Sequence, residues 1–280
     1  MRRLAGGGMN DEPDSQQIRR YWERDGLGER ILDVLRESGR DLDALTIDIL
    51  APLDQFHGGG KPATERLARL ANLTPSTRVL DVGGGLGGPA RTLAVMFGCQ
   101  VDVLDLTESY VHAGTLLTDQ LRLSDRVRFH VGNALELPFD DGSFDVVWTQ
   151  NSGMNIADKA RLYGGFHRVI RPGGRLALQE PLLGTVQPVI YPQMWARDEA
   201  SSILLTPDDL RTLIEQAGFG LVAWEDVTAV TSLAPLPAPG APPTLQALVL
   251  GDELPLVRAN GTRNFDEGRL VNIQAVFDRP

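Results

Sequence analysis

One glycine-rich stretch constrains the fold more than any other feature of the chain. Residues 78–82 form a short apolar run of the strand type, and five glycines follow within six positions before a helical pattern begins. A strand that turns through glycines into a helix N-terminus brings backbone N–H groups close to a ligand. Gly83, Gly85 and Gly88 match the pattern G-x-G-x-x-G, and Asp105 follows at about the spacing of a ribose-binding acid. The stretch therefore predicts an α/β fold that binds a ribose-containing ligand.

Asp81 distinguishes between the ligands that such a loop could hold. It lies two residues before Gly83, where a dinucleotide would place its pyrophosphate, and like charges repel. S-adenosylmethionine (SAM) carries a sulfonium, an ammonium and a ribose but no phosphate. The spacing Asp-x-Gly-x-Gly-x-Gly, here Asp81, Gly83, Gly85 and Gly87, resembles the first motif of class I SAM-dependent methyltransferases. We favour SAM over a dinucleotide, and a glycine turn without a ligand is the third interpretation.

Short apolar runs alternate with helical patterns after residue 77, which is typical of βαβ units. The predicted strands are 78–82, 100–106, 127–131, 144–149, 175–180, 221–228 and 270–278. The predicted helices are 16–25, 27–37, 41–50, 62–73, 89–97, 108–123, 156–170 and 207–217. The fold class is therefore α/β, with a seven-stranded, Rossmann-like, mostly parallel sheet and helices on both faces.

The same pattern divides the chain into parts. We expect a disordered tail at 1–14, an N-terminal helical lid at 15–60 and a SAM-binding core at 61–280. Within the core, residues 181–204 interrupt the alternation and concentrate large side chains. This irregular segment predicts an insertion that covers the substrate.

Composition excludes several classes of partner. The formal net charge is −10 and no long Lys/Arg block is present, so we expect neither nucleic acid nor a membrane as partner. A single cysteine, Cys99, excludes an intrachain disulfide framework and a cysteine metal site, and no metal is expected. No run of about 18 apolar residues is found. We expect a cytoplasmic protein, and the sequence leaves a homodimer open.

Four further stretches resemble one branch of the class I SAM-dependent methyltransferases, which contains the glycine, sarcosine and dimethylglycine N-methyltransferases. They are 54–57 (DQFH), 149–151 with 154–156 (TQN and MNI), 191–192 with 195–196 (YP and WA), and 264–265 with 268–269 (NF and GR). The resemblance implies SAM as the cofactor and an antiparallel last strand. The chain departs from the branch at Asn133, where many relatives have Asp, and at Asn151, where the branch often has His.

Ligands of open α/β sheets bind at the carboxyl ends of the strands. This rule places the candidate cofactor residues after four predicted strands. They are Asp81, Gly83, Gly84 and Gly85; Asp105 and Leu106; Asn133, Ala134 and Leu135; and Thr149 and Gln150. A carboxylate at Asp105 suits both ribose hydroxyls, and an amide at Asn133 suits the edge of adenine. The alternative for Asn133 is an ordinary turn residue.

His57 is the candidate catalytic residue, as a base or as a polar contact to the substrate or to SAM. The alternative is a hydrogen-bonded loop histidine. The candidate substrate residues are Tyr21, Gln55, Asn151, Tyr191, Trp195 and Arg197. Aromatic walls can hold a methylated amine by cation–π contact or a flat acceptor by stacking, and Arg197 could hold a carboxylate.

These features predict SAM-dependent methyl transfer to a small-molecule acceptor. The methylated atom is a hydroxyl, carbon or amine of a natural product or an amino-acid-like metabolite, with secondary metabolism slightly favoured. Two alternatives stay open at this point, an NAD-dependent oxidoreductase and a non-catalytic SAM-binding protein. Asp81 and the absence of a Tyr-x-x-x-Lys pair argue against the oxidoreductase.

Overall fold

A computed structural model describes residues 15–231 and 242–280, so the predicted disordered tail lies outside the described residues. In the described part, seven strands form one sheet in the order β3-β2-β1-β4-β5-β7-β6. The strands are β1 (Arg78–Val82), β2 (Gln100–Asp105), β3 (Val127–Val131), β4 (Phe144–Gln150), β5 (Ile170–Leu183), β6 (Gly220–Asp226) and β7 (Leu270–Asp278). Strand β7 runs antiparallel to both of its neighbours, β5 and β6, and the other neighbouring strands of this sheet are parallel. The predicted fold class and antiparallel last strand are confirmed.

Helices precede the sheet and cover both of its faces. The described helices are α1 (Ser15–Trp22), α2 (Leu27–Glu37), α3 (Ile47–Asp54), α4 (Gly60–Leu70), α5 (Gly88–Phe97), α6 (Glu108–Gln120), α7 (Lys159–Val169), α8 (Pro207–Gln216), α9 (Leu245–Leu250) and α10 (Leu254–Asp266). Side-chain caps fix several starts. For example, the Thr206 hydroxyl accepts the Asp209 N–H at 3.2 Å, and Pro207 occupies the first turn of α8.

The central strands β1 and β4 are buried on both faces, since helices cover both sides of the sheet and successive side chains point to opposite sides. In β1, Leu80 and Val82 belong to the core under α7 and α8, whereas Val79 belongs to the core under α4 and α5. In β4, Val147 and Trp148 divide in the same way. This two-sided burial explains why these central strands are mostly apolar.

The structure differs from the sequence prediction in three places. The predicted helix at 41–50 is a 3₁₀ turn, Leu42–Ala44, followed by α3. Strand β5 continues to Leu183 because β7 pairs with it along its whole second half, so the predicted insertion at 181–204 begins inside a strand. Helices α9 and α10 were not predicted.

The order of the strands fixes where a ligand can bind. The chain moves outward from β1 in one direction through β2 and β3 and in the other through β4 and β5. A crevice opens at such a switch point, at the carboxyl ends of the strands. Helices α2, α3, α9 and α10 pack together with Leu86 of the glycine loop and with Tyr110. They therefore close the region above the strand ends. No described helix is both long and apolar enough to span a lipid bilayer.

Candidate active site

A cleft of about 1340 Å³, its open mouth included, lies at the carboxyl ends of β1 to β4. Its outer side is closed by Ile18 and Trp22 of α1 and by Leu245 of α9. Most of the candidate cofactor residues line it, together with two candidates from the acceptor side. They are Asp81, Gly83, Gly84, Gly85, Asp105, Leu106, Asn133, Ala134, Leu135 and Gln150, with His57 and Asn151.

Glycine is required in the loop after β1 for two separate reasons. Gly83 has φ +71°, and a Cβ atom there would lie 2.4 Å from the Cβ of Ser152. At Gly84 a Cβ would lie 2.8 Å from Oδ2 of Asp81. The second contact shows that the backbone passes directly over the carboxylate. The glycines and Asp81 therefore form one unit.

Asp81 is a buried acid of the cleft with an unsatisfied oxygen. Its side chain is 1% exposed, and Oδ2 has no hydrogen-bond partner. Burial, and secondarily the negative charge of Asp105, raises the pKa of Asp81 to about 8. A buried carboxylate without a partner is stabilised in its charged form by a cation in the cleft.

Asp105 is held with both of its oxygens turned toward backbone N–H groups. Oδ2 accepts from Gly85 at 2.9 Å and Oδ1 accepts from Thr107 at 2.8 Å. Burial nevertheless raises the pKa of Asp105, against the effect of these bonds. A carboxylate has about four acceptor sites, and besides these two bonds the Thr107 side chain also bonds Asp105, so a site is left for a ribose hydroxyl.

Two further acids complete the charge of the cleft. Asp54 and Asp158 line it, and none of its described lining residues is Lys or Arg. Asp54 is buried, and Arg91, which is fully buried outside the cleft wall, binds its Oδ2 at 2.9 Å. Its Oδ1 has no partner. Four acids therefore line the cleft, and the charge of one of them, Asp54, is balanced by Arg91.

The ends of β3 and β4 present amides rather than charges. Asn133 lines the cleft, and its Oδ1 accepts the Leu135 N–H at 2.9 Å, which is a turn-forming contact. Thr149 is buried beside the cleft, and its hydroxyl bonds that of Ser152 at 2.5 Å. Thr149 thus lies behind the wall of the cleft, whereas Gln150 forms part of it.

Three glutamines form a buried ladder across the sheet. Gln150, Gln179 and Gln274 are direct neighbours on β4, β5 and β7. The Nε2 atoms of Gln150 and Gln274 donate to Oε1 of Gln179 at 3.3 and 2.8 Å. Gln179 Nε2 donates in turn to the carbonyl of Gly58 at 2.9 Å. The ladder ties the loop that carries His57 to the sheet.

The ladder also contacts the ring of His57. The Trp148 indole N–H, which can only donate, binds Oε1 of Gln150 at 3.0 Å. The Nε2 of Gln150 lies 3.4 Å from Nδ1 of His57, and the Gly58 carbonyl lies 3.2 Å from the same nitrogen. The other ring nitrogen, Nε2, lies 2.9 Å from Gln55 Oε1 and 3.1 Å from the Thr64 hydroxyl. Both ring nitrogens have protein partners.

Burial lowers the pKa of His57 to about 4. The ring is neutral at physiological pH, and a base with so low a pKa abstracts a proton weakly. The geometry therefore favours the role of a polar wall over that of a base.

A second cavity, of about 670 Å³, adjoins the cleft, and we call it the aromatic chamber. Four residues line both spaces and mark the junction between them: Trp22, Phe56, His57 and Asn151. The rest of the chamber wall consists of Gly58, Met154, Pro181, Gln193, Met194, Trp195, Thr231, Gln246, Val257, Gly261, Phe265 and Asn272. Asn151 has φ +54°, a left-handed conformation that asparagine tolerates better than most residues.

The structure brings only part of the predicted acceptor side together. Trp195 lines the chamber, where its indole N–H donates to Ser202 at 2.9 Å. Gln55 is buried behind His57, and the Tyr21 hydroxyl donates to the carbonyl of Met194 at 3.3 Å. Four of the predicted substrate residues are therefore not among the described residues that line the cleft or the chamber: Tyr21, Gln55, Tyr191 and Arg197.

Several wall residues escaped the sequence analysis. Gln246, Val257 and Phe265 belong to α9 and α10, and Asn272 lies on β7. The spacing of 254, 257, 261 and 264 is helical, so α10 carried a signal. Nothing in the sequence indicates that these elements meet at Trp22 and Phe56.

Comparison with known proteins agrees with this geometry. A family model described as a methyltransferase domain matches residues 80–178. The chain is 32% identical, over 47% of its length, to a glycine/sarcosine/dimethylglycine N-methyltransferase of Actinopolyspora halophila, and it spans 23% of that protein. It is 31% identical to the methyltransferase GfsG of Streptomyces halstedii, over 66% of this chain and 69% of the relative. The chain belongs to the class I SAM-dependent methyltransferase family.

A solved structure shows that the resemblance in fold covers nearly the whole chain. The geranyl diphosphate C-methyltransferase of Streptomyces coelicolor A3(2), in complex with Mg²⁺, geranyl-S-thiolodiphosphate and S-adenosyl-L-homocysteine, aligns with a TM-score of 0.69 at 19% identity. The alignment covers 98% of this chain and 100% of that one. At this identity the match supports the fold of this methyltransferase-family chain and carries no information about its acceptor.

Proposed function

We propose that this chain transfers a methyl group from SAM to a small-molecule acceptor. The observation that carries the proposal is the charge of the cleft. Three acids without a cationic partner line it, namely Asp81, Asp105 and Asp158, and no Lys or Arg is among the described residues that line it. The buried Oδ2 of Asp81 has no hydrogen-bond partner. A cationic ligand fits this environment, whereas the pyrophosphate of a dinucleotide would be repelled.

The residues present also fit the other parts of SAM. Asp105 lines the cleft and can accept a hydrogen bond from a ribose, and Leu106, Ala134 and Leu135 provide apolar contact for a flat base. Asn133 is placed at the same end of the cleft, at its turn after β3. We propose these residues as the nucleoside part of the site and Asp81 with Gly83 to Gly85 as the part for the amino-acid end.

When bound, SAM supplies a methyl group on a sulfonium, which an acceptor displaces in line. The chain's own contribution is placement: Trp22, Phe56, His57 and Asn151 stand where the cleft meets the chamber, so they align what lies in the two spaces. Two of them are aromatic, and His57 is neutral. The junction is therefore poorly hydrated, which favours a reaction in which charge is lost.

The N-terminal helices and the 184–204 segment stand over this junction through Ile18, Trp22, Met194 and Trp195. We propose that residues 15–60 act as a lid and that the segment after β5 covers the acceptor. We also propose a cytoplasmic enzyme of secondary metabolism.

Calorimetry with SAM, S-adenosylhomocysteine and NAD tests the proposal directly. We expect binding of the first two and none of NAD. Turnover of methyl-labelled SAM against a panel of acceptors then separates an enzyme from a non-catalytic SAM-binding protein. Tight NAD binding without SAM binding would refute the proposal.

A further inference from the structure

The aromatic chamber differs from the cleft in its charge. Its wall is made of aromatic and aliphatic side chains, of glycine backbone, and of the amides Asn151, Gln193, Gln246 and Asn272. None of the described residues that line it is Asp, Glu, Lys or Arg. His57, the one titratable member of this wall, is neutral above a pKa of about 4. An anionic group that entered the chamber would lose its hydration without gaining a counter-charge.

The arginine that the sequence analysis named as a counter-charge is already paired. Arg197, which the sequence suggested for a carboxylate, is not a lining residue and binds Glu253 at 3.2 Å. Its side chain is 68% exposed. Moving the guanidinium inward would cost both its hydration and its partner.

We infer that the methyl acceptor is a largely apolar molecule without an anionic group that fills the aromatic chamber. This inference rests on the proposed function for the position of the methyl donor. It excludes amino-acid zwitterions and diphosphates as substrates, because each carries an anion that the described chamber wall leaves uncompensated. It favours neutral oxygenated or N–H-bearing ring systems and chains.

A matched pair of dyes tests the charge rule. N-phenylnaphthylamine is neutral and has one N–H, and anilinonaphthalenesulfonate adds a sulfonate to the same rings. Both are titrated by fluorescence into the full chain saturated with S-adenosylhomocysteine, so that the cleft is filled. We expect the neutral dye to bind at least about tenfold more tightly.

The variant Gln246→Arg places a cation in the half-buried wall position of α9. It should tighten sulfonate binding about tenfold or more without tightening that of the neutral dye. The control is Leu256→Arg, which adds the same charge at a position of α10 that is 56% exposed, and which should change neither affinity.

Equal affinity for the two dyes, an unchanged ratio in Gln246→Arg, or binding of neither dye would overturn the inference. These failures are separable from failure of the proposed function. If SAM does not bind in calorimetry, the methyltransferase proposal falls; if SAM binds and the dyes are not distinguished, only the nature of the acceptor is wrong.

Discussion

At the scale of single residues, Asp81 should make the affinity for a cationic ligand depend on pH. Without a ligand the pKa of Asp81 is about 8, because burial disfavours its charged form. A bound cation stabilises the carboxylate and lowers that pKa, so between pH 6 and 8 SAM binding should release a proton. We expect the SAM affinity to fall by up to about tenfold per pH unit below 8. Calorimetry at pH 6.5 in buffers of different ionisation enthalpy measures the proton release, and Asp81→Asn should abolish it. Release of the same size in the variant would contradict this assignment.

Asp105 is expected to contribute directly to the affinity for SAM. In Asp105→Ala the charge-assisted bonds to a ribose are lost, which corresponds to about 1.5–3 kcal/mol or roughly 10- to 150-fold in the Kd for SAM. Asp102→Ala is the control on the same strand, since Asp102 contacts His130 and does not line the cleft. Titration of both variants with SAM measures the difference. An unchanged Kd in Asp105→Ala would place Asp105 outside the ribose site.

His57 tests whether the reaction uses a base from this wall. Removal of a true general base lowers kcat by about 10²–10⁴-fold. Because both ring nitrogens are bound by protein and the pKa is about 4, we expect His57→Ala to lower kcat by less than about tenfold, with SAM affinity retained. The control is His112→Ala, whose side chain is 71% exposed. Steady-state rates with any acceptor found by labelled SAM would measure both, and a loss above 100-fold in His57→Ala alone would restore the base hypothesis.

At the scale of secondary-structure elements, the glutamine ladder joins β4, β5 and β7 to the loop before α4. Gln179→Leu leaves Nε2 of Gln150, Nε2 of Gln274 and the Gly58 carbonyl without this partner, and each buried orphan costs about 1–3 kcal/mol. We expect a lower free energy of unfolding and faster amide exchange in residues 57–64.

Leu176→Ala on the same strand is the matched control for this prediction. It creates a cavity in the core under α7 and α8, costing about 2–5 kcal/mol, but it removes no contact to the loop. The two variants are compared by amide hydrogen exchange under conditions in which their free energies of unfolding are equal. Exchange in 57–64 that rises equally in both would show that the ladder has no specific effect on the loop.

The elements that the sequence predicted well are those whose signal is local. Strands β1, β3 and β7 have the predicted bounds because each is an apolar run ended by turn residues. Helix α10 was missed because its buried face includes Asn260, Gly261 and Asn264, which look like surface residues in a sequence.

The candidate site divides along the same line. The cleft follows from the rule that ligands bind at strand ends, so Asp81 and Asp105 were predictable one strand at a time. The aromatic chamber depends on contacts between Trp22, Gln246 and Asn272, which lie on α1, α9 and β7. Such long-range proximity arises from tertiary packing, and no periodic pattern in a single sequence indicates it.

At the scale of the whole molecule, the one cysteine of the chain reports on global unfolding. Cys99 is completely buried in the core under α4 and α5, and burial raises the pKa of its thiol to about 11. A thiol reagent reacts with the thiolate, so native Cys99 should be inert and should react only when this core opens.

A ligand that binds only the native state lowers the population of open molecules by the factor 1 + [L]/Kd. We therefore expect S-adenosylhomocysteine at 100 times its Kd to slow labelling about 100-fold, provided that reclosing is faster than labelling. Val95→Cys, at a position of α5 that is 48% exposed, adds a thiol that should react quickly with or without ligand. If the ligand leaves the labelling of Cys99 unchanged, the core under α4 and α5 opens independently of the cleft, and the sheet does not unfold as one cooperative unit.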